Sequence, residues 1–158
     1  MKTAEQRIAW ALDICRRAQL RMTPVRHAML SFLASNHTPA TLQTIIRADG
    51  IRGVCNTTTV YRTLMLFKEA DIVRPVGTPH KTSYFMLNVP DDAGHFLICR
   101  RCGSIVELPL PEAMVKQIHH IAASRGFVST RRDFEIHGLC DSCQSARERA
   151  VVPSKLAC

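Results

Sequence analysis

Four cysteines form the pattern with the most specific chemistry in this sequence. They occur as two pairs, Cys99-Arg-Arg-Cys102 and Cys140-Asp-Ser-Cys143, with 37 residues between the pairs. Two intervening residues allow both sulfurs of a pair to reach one metal ion from a tight turn, and two such pairs supply four ligands for a tetrahedral zinc ion. Four thiolates leave no open position for water or substrate, so the pattern predicts a structural zinc site.

Two other interpretations of paired cysteines fit less well. A disulfide framework requires an oxidising compartment, and the start of the chain carries Glu5, Arg7 and Asp13 instead of the apolar stretch of a signal peptide. A thioredoxin-like redox motif would need only one pair. Of the remaining cysteines, Cys15 falls in an apolar helical stripe and is expected in the core, while Cys55 and Cys158 have no assigned role.

The charge of the chain is unevenly distributed. The 158 residues carry a net charge of +8, and residues 1–90 hold 12 Lys and Arg against 5 Asp and Glu. Residues 91–158 hold 9 against 8. A basic N-terminal half indicates an anionic partner, for which nucleic acid is the usual candidate, although a merely soluble basic surface is the alternative. No apolar run approaches membrane-spanning length, so a cytoplasmic protein without membrane contact is expected.

The N-terminal half predicts four helices. Apolar residues recur at helical spacing from Ala4 to Leu20, and Thr23-Pro24 supplies an N-cap and a first helical residue for the second helix. Thr38-Pro39 gives the same signal for a third helix. Asn56 is the expected N-cap of the fourth, which should extend to Ala70.

The fourth helix opens with residues that suit an anionic ligand better than a helix. Thr57, Thr58 and Thr59 are β-branched and therefore poor helix formers. Hydroxyl groups and free backbone N–H groups at a helix N-terminus can meet phosphate oxygens and base edges. Tyr61 and Arg62 follow on the next turn. The ordinary alternatives are capping for the threonines, core packing for Tyr61 and a solvated position for Arg62.

The remaining elements predict an α+β fold. Strand-like runs at residues 71–76 and 83–87 form a hairpin after the helices, which is the plan of a winged-helix DNA-binding domain. Strands at 95–99, 104–108 and 127–137 and a helix from Pro111 to Arg125 predict a small α/β dimerisation and metal-binding domain that carries the four-cysteine zinc site. The exposed edges of its sheet would be covered by a second copy. The predicted divisions are 1–88, 89–146 and a flexible tail at 147–158.

Four segments of the sequence resemble motifs of the ferric uptake regulator superfamily, and they occur in that family's order. Residues 56–64 (Asn-Thr-Thr-Thr-Val-Tyr-Arg-Thr-Leu) resemble its recognition helix, and residues 23–26 (Thr-Pro-Val-Arg) resemble the start of its second helix. The two cysteine pairs, within residues 96–103 and 137–143, resemble its zinc motifs. The resemblance extends from about Ala4 to Cys143. It implies a metal-sensing repressor that binds DNA as a homodimer.

The resemblance also implies roles for individual residues of the N-terminal half. The operator would be an AT-rich palindrome in double-stranded DNA. Tyr61 would contact thymine methyls and bases, and Arg62 would contact phosphates. Arg21 and Arg26 would approach the DNA backbone or the minor groove.

A reversible regulatory metal should be held by histidines and carboxylates near the hinge between the two halves. Glu107 matches a regulatory ligand of the family. His95 is one residue further from the cysteine than the family's His-x-His pattern, whose other histidine is absent, and Met86 replaces a common acidic ligand. His37, then Asp92 and His80, complete the candidates. For each histidine the alternative is a solvated loop side chain, which we favour for His80.

The cysteine segments are closer to the zinc uptake regulator branch, so a regulatory Zn²⁺ is predicted ahead of Fe²⁺. That branch's usual additional cysteine ligand is not visible, and an iron- or peroxide-sensing regulator is the first alternative. A zinc-ribbon interaction module without sensing is the second. An enzyme is not expected, because a zinc deaminase would need His-x-Glu ahead of a Pro-Cys-x-x-Cys pair.

Overall fold

Capping residues in the sequence determine where the N-terminal helices begin. A computed structural model describes residues 2–77, 83–90, 94–128 and 134–145 of the chain. Its first four helices are α1 (Ala4–Arg17), α2 (Pro24–Ser35), α3 (Leu42–Ile46) and α4 (Thr57–Glu69). The side chains of Thr3, Thr23, Thr41 and Asn56 cap them by accepting backbone N–H groups of the first turn. The predicted starts of α2 and α4 are therefore confirmed.

The predicted start of the third helix at Thr38-Pro39 is wrong. Ala40 and Thr41 form a short strand, β1 (Ala40–Thr41), in which Ala40 pairs with Phe85 of a later strand. Thr41 then caps α3 in place of Thr38. The helix is delayed because the backbone of these two residues is used for sheet pairing, which local capping signals cannot reveal.

The predicted hairpin is present and is buried on both faces. Strands β2 (Val73–Val76) and β3 (Tyr84–Leu87) pair antiparallel, and β1 adds to β3. Because side chains alternate along a strand, Phe85 and Leu87 pack into the core of the helices. Met86 faces the other way, into a second apolar cluster that belongs partly to the C-terminal half.

In the described residues of the C-terminal half, a three-stranded sheet is accompanied by a long helix, and residues 141–145 form one further helical turn. Its strands are β4 (Phe96–Cys99), β5 (Ile105–Glu107) and β6 (Glu135–Gly138), and the helix α5 (Glu112–Ser124) lies between β5 and β6 in the chain. The order across the sheet is β5-β4-β6, with β5 antiparallel and β6 parallel to the central β4.

The third strand of this sheet is shorter than predicted. Phe127 and Val128 are exposed and lie outside any strand, residues 129–133 fall outside the described ranges, and pairing begins at Glu135. Its partner β4 has four residues, so only four residues of β6 can join it. The predicted tail at 147–158 also lies outside the described residues, and the predicted domain divisions remain predictions. Across the described ranges, no helix has the length and hydrophobicity needed to cross a membrane.

Candidate metal centre and DNA-binding surface

Parallel pairing of β4 and β6 brings the two cysteine pairs together. Cys99 is the last residue of β4 and pairs with Gly138, the last residue of β6. Because parallel strands end at the same edge of a sheet, the turn that follows each strand presents its cysteines at one place. Gly103 allows the first turn through its positive φ of 79°.

The four sulfurs are arranged as a zinc ion requires. The Sγ atoms of Cys99, Cys102, Cys140 and Cys143 all lie within 4.8 Å of one another. Those of Cys102 and Cys140 are 3.7 Å apart, close to the edge of about 3.8 Å that follows from a Zn–S distance of about 2.3 Å in a tetrahedron. The donor set and its spacing therefore fit a structural zinc, which would supply the link between the two turns.

Polar contacts hold the two turns in register around the sulfurs. The backbone N–H of Cys140 donates to Sγ of Cys99 at 3.4 Å, and Nη1 of Arg101 donates to the carbonyl oxygen of Cys143 at 2.9 Å. The six cysteines of the described ranges are free thiols. The geometry thus matches the predicted metal site and not a disulfide framework.

The local environment makes the four thiols unequal. The backbone N–H of Cys102 is the main cause that lowers the pKa of Cys99 to about 5, and the N–H of Cys143 lowers the pKa of Cys140. Burial, together with the neighbouring thiols, raises the pKa of Cys143 to about 12. A metal ion must therefore displace a proton from Cys143 to obtain its fourth thiolate.

Helix α4 has one buried and one exposed side. Val60, Leu64 and Phe67 are fully buried, while Thr57, Thr58 and Arg62 are exposed and Tyr61 is 48% exposed. The alternative role of Tyr61, packing in the core, therefore does not fit its exposure. Thr59 is also exposed, but its hydroxyl donates to Oδ1 of the capping residue Asn56 at 2.9 Å.

The two remaining predicted DNA contacts lie at the start of α2. Arg21 is exposed, and Arg26 is half-buried with Nη1 donating to the carbonyl oxygen of Arg21 at 2.6 Å. This hydrogen bond fixes Arg21, a predicted contact to the DNA backbone, next to the start of α2.

The predicted regulatory ligands do not meet within the described part of this chain. Glu107 pairs with Phe96 across the sheet, so His95, the neighbour of Phe96, points to the opposite face from Glu107. His95 is 8% exposed, accepts a hydrogen bond at Nδ1 from the N–H of Phe134 and stacks on its ring. His37 is half-buried after α2. Asp92 and His80 lie outside the described ranges.

In the described ranges, the four cysteines are the only group of three or more potential ligands whose donor atoms lie close together. The structure therefore assembles the predicted zinc site but does not assemble the predicted regulatory site from Glu107, His95 and His37. The assignment of these residues remains a prediction.

Sequence reasoning missed Arg74, which lies between the two halves. Arg74 of β2 is 4% exposed, and its guanidinium is 3.9 Å from a carboxylate oxygen of Glu135 on β6. The available signal was a charged residue within the apolar run Ile72-Val73-Arg74-Pro75-Val76, which indicates a strand with one face directed towards something other than solvent.

Comparisons with known proteins agree with this architecture. The model of the ferric uptake regulator family matches residues 17–137. The peroxide-responsive repressor PerR of Staphylococcus aureus strain Mu50 is 29% identical over 147 residues, which are 91% of this chain and 96% of the relative. The two proteins are therefore alike over nearly their whole lengths.

Solved structures of several metal-dependent regulators resemble the fold. The ferric uptake regulator of Helicobacter pylori superposes with a TM-score of 0.67 at 19% identity, covering 90% of this chain and 95% of that one. A zinc uptake regulator complexed with zinc and DNA superposes with a TM-score of 0.51 at 26% identity, covering 94% and 99%. The predicted combination of a winged helix and a second α/β unit is thereby confirmed.

Proposed function

Because the chain belongs to the ferric uptake regulator family, we propose that it is a metal-responsive transcriptional repressor that controls genes of metal uptake or homeostasis. Members of this family regulate transcription, and the chain is not an enzyme. The observation that carries the proposal is α4, whose apolar side is buried in the core while its Thr, Tyr and Arg side is exposed. We also propose that the protein is located in the cytoplasm.

In the proposed complex, α4 enters the major groove of an AT-rich palindromic duplex. The exposed ring of Tyr61 suits thymine methyl groups, and Arg62 suits a phosphate. Thr57 and Thr58 stand at the positive end of the helix dipole, where anions are favoured. Arg21 and Arg26 supply further backbone contacts. The zinc uptake regulator that was solved with zinc and DNA supports DNA binding by this chain.

The proposed assembly is a homodimer formed through the C-terminal sheet. Leu97, Val106 and Ile136 lie in one row across β5, β4 and β6, because Leu97 pairs with both of the others. Their side chains are 40%, 57% and 54% exposed. An apolar row of this kind favours contact with a second copy over contact with water.

We propose two metal ions per chain with different tasks. The zinc held by the four cysteines is structural. A regulatory ion, Zn²⁺ ahead of Fe²⁺, would use Glu107 and His95 first, then His37, Asp92 and His80. Because Glu107 and His95 occupy opposite faces of the sheet in this chain, a site that uses both requires a rearrangement near the hinge or ligands from elsewhere.

The similarity to PerR favours one alternative, an iron- or peroxide-sensing regulator of the same family. A zinc-ribbon interaction module without sensing is the other. One titration separates these three functions. Zinc, and separately ferrous iron, is added to protein that retains its structural zinc, and binding to an AT-rich palindromic duplex is read by fluorescence anisotropy at fixed salt.

The expected result is that zinc tightens DNA binding about tenfold, within the roughly 5- to 150-fold range of allosteric coupling. A response to iron alone, or loss of binding on peroxide treatment of the iron form, would favour the alternative regulator. DNA binding that is indifferent to both metals would contradict metal sensing altogether.

A further inference from the structure

Arg74 is a buried cation at the contact between the two halves of the chain. It lies on β2 of the hairpin, and its side chain is 4% exposed. Its guanidinium lies 3.9 Å from a carboxylate oxygen of Glu135, on β6 of the C-terminal sheet, and Nη2 is 3.4 Å from the carbonyl oxygen of Gly94. The group also lies 6.0 Å from the centre of the Phe96 ring. All three contacts reach from the hairpin into the C-terminal half.

An apolar cluster lies beside this cation, which pairs with Met86 across the hairpin, and the cluster joins the same two units. Val76 and Met86 of the hairpin pack with Phe96 and Ile98 of β4, and all four are at most 3% exposed. Gly94 fits against them only because it lacks a side chain, since a Cβ there would lie 2.5 Å from Cζ of Phe96. The two halves are therefore in direct, closely packed contact through their side chains.

A buried arginine in such a contact restricts the relative orientation of the two halves more than it stabilises the folded protein. Removing a guanidinium from water is costly, so an ion pair in this position adds little net free energy. Its planar donors nevertheless accept few arrangements of their partners. Apolar residues can slide past one another, whereas Arg74 adds a hydrogen bond to the Gly94 carbonyl oxygen and an ion pair with Glu135, and both depend on how the two halves are oriented.

We propose that Arg74 is a positioning residue that fixes the orientation of the DNA-binding half on the dimerisation half, with Glu135 as its partner. In the homodimer this orientation sets the separation and angle of the two α4 helices, and hence the spacing of half-sites that the dimer accepts. The inference rests on the proposed function as a dimeric DNA-binding protein.

The test compares full-length zinc-bound protein with Arg74→Met, which keeps the length of the side chain and removes its charge and donors. Affinity is measured by fluorescence anisotropy for a single half-site duplex, for the palindrome, and for palindromes with one base pair added or removed at the centre. We expect Arg74→Met to weaken binding to the palindrome roughly 5- to 150-fold, the range of coupling between sites. Half-site affinity should stay within about twofold, and the spacing variants should be discriminated less.

Two further variants complete the comparison. Glu135→Gln removes the partner charge from a side chain that is 25% exposed, so it perturbs folding less and should change palindrome binding in the same direction by a smaller factor. Lys116→Met is the control for loss of a positive charge, since Lys116 is 72% exposed and pairs with Glu112 on the surface of α5. It should bind every duplex as the wild type does.

Equal losses for half-site and palindrome would overturn the proposal, because they would show a general structural defect. Unchanged palindrome binding and spacing preference in Arg74→Met would overturn it as well. If Arg74→Met does not fold, as judged by circular dichroism and zinc content, Glu135→Gln decides by the same criteria. Failure of the proposed function looks different, since the wild type itself would then not prefer the palindrome to the half-site.

Discussion

At the scale of single residues, the exposed side of α4 carries two side chains with different proposed roles: Tyr61 in sequence preference and Arg62 in general DNA affinity. We expect Tyr61→Ala to reduce the preference for an AT-rich palindrome over a scrambled duplex, because in the proposed complex its ring would contact base edges. Arg62→Ala should weaken binding to both duplexes and lower the slope of log affinity against log salt by about 1, since the proposed phosphate contact of Arg62 would be lost. Anisotropy over a salt series measures both effects.

Lys68→Ala provides the matched control for Arg62→Ala. Lys68 is exposed in the last turn of the same helix, about 9 Å further along the axis. Its removal should leave the salt slope nearly unchanged. Equal slopes of log affinity against log salt for the two variants would mean that Arg62 acts only through the net charge of the protein and makes no specific phosphate contact.

Gly94 is a second residue with a measurable role. We expect Gly94→Ala to lower the free energy of unfolding by about 1–3 kcal/mol, the usual cost of overpacking, because the new Cβ would displace the buried Phe96 ring. Gly138→Ala is the control, since nothing lies within 4 Å of a Cβ there. Urea unfolding measures both, and equal effects would contradict the close contact at Gly94.

At the scale of elements, the ends of β4 and β6 are held by pairing and by the four cysteines. We expect zinc removal to destabilise the C-terminal half. Zinc affinity should fall as the pH is lowered, because the ligands bind as thiolates and a raised pKa of about 12 keeps Cys143 protonated in the metal-free protein. Competition with a chromophoric chelator between about pH 6 and 8 measures the effect.

The control for this experiment is Cys55→Ser. Cys55 is a half-buried free thiol outside the cluster, so the variant should keep the zinc content and pH dependence of the wild type. Cys143→Ser should lose zinc more readily at every pH. A pH-independent affinity would show that the thiols are already ionised before metal binds.

The elements also show where sequence prediction works and where it ends. Thr23 and Asn56 were predicted as caps because a cap depends on three or four neighbouring residues. Thr38 was assigned wrongly because Ala40 pairs with Phe85, 45 positions away. The shortness of β6 and the burial of Arg74 likewise depend on distant partners. The cysteine site was predictable because its spacing encodes its chemistry, whereas the regulatory candidates lack such a pattern.

At the scale of the whole molecule, the exposed row across the C-terminal sheet predicts where two copies meet. We expect Val106→Glu or Ile136→Lys to shift the protein from dimer towards monomer in sedimentation velocity, because each places a charge in an apolar contact. Val128→Glu is the control, since Val128 is 89% exposed and lies outside the row. An unchanged dimer in both row variants would place the interface elsewhere.

Because both faces of the hairpin are buried, the chain cannot be cut into separate halves without exposing one of these faces. Its Phe85 and Leu87 belong to the helical core, while Val76 and Met86 belong to the cluster shared with β4. A truncation after residue 90 would leave Val76, Met86 and Arg74 facing solvent on two adjacent strands. The isolated N-terminal fragment should therefore aggregate and be poorly soluble. Recombinant work on DNA recognition by this protein should begin from the intact chain.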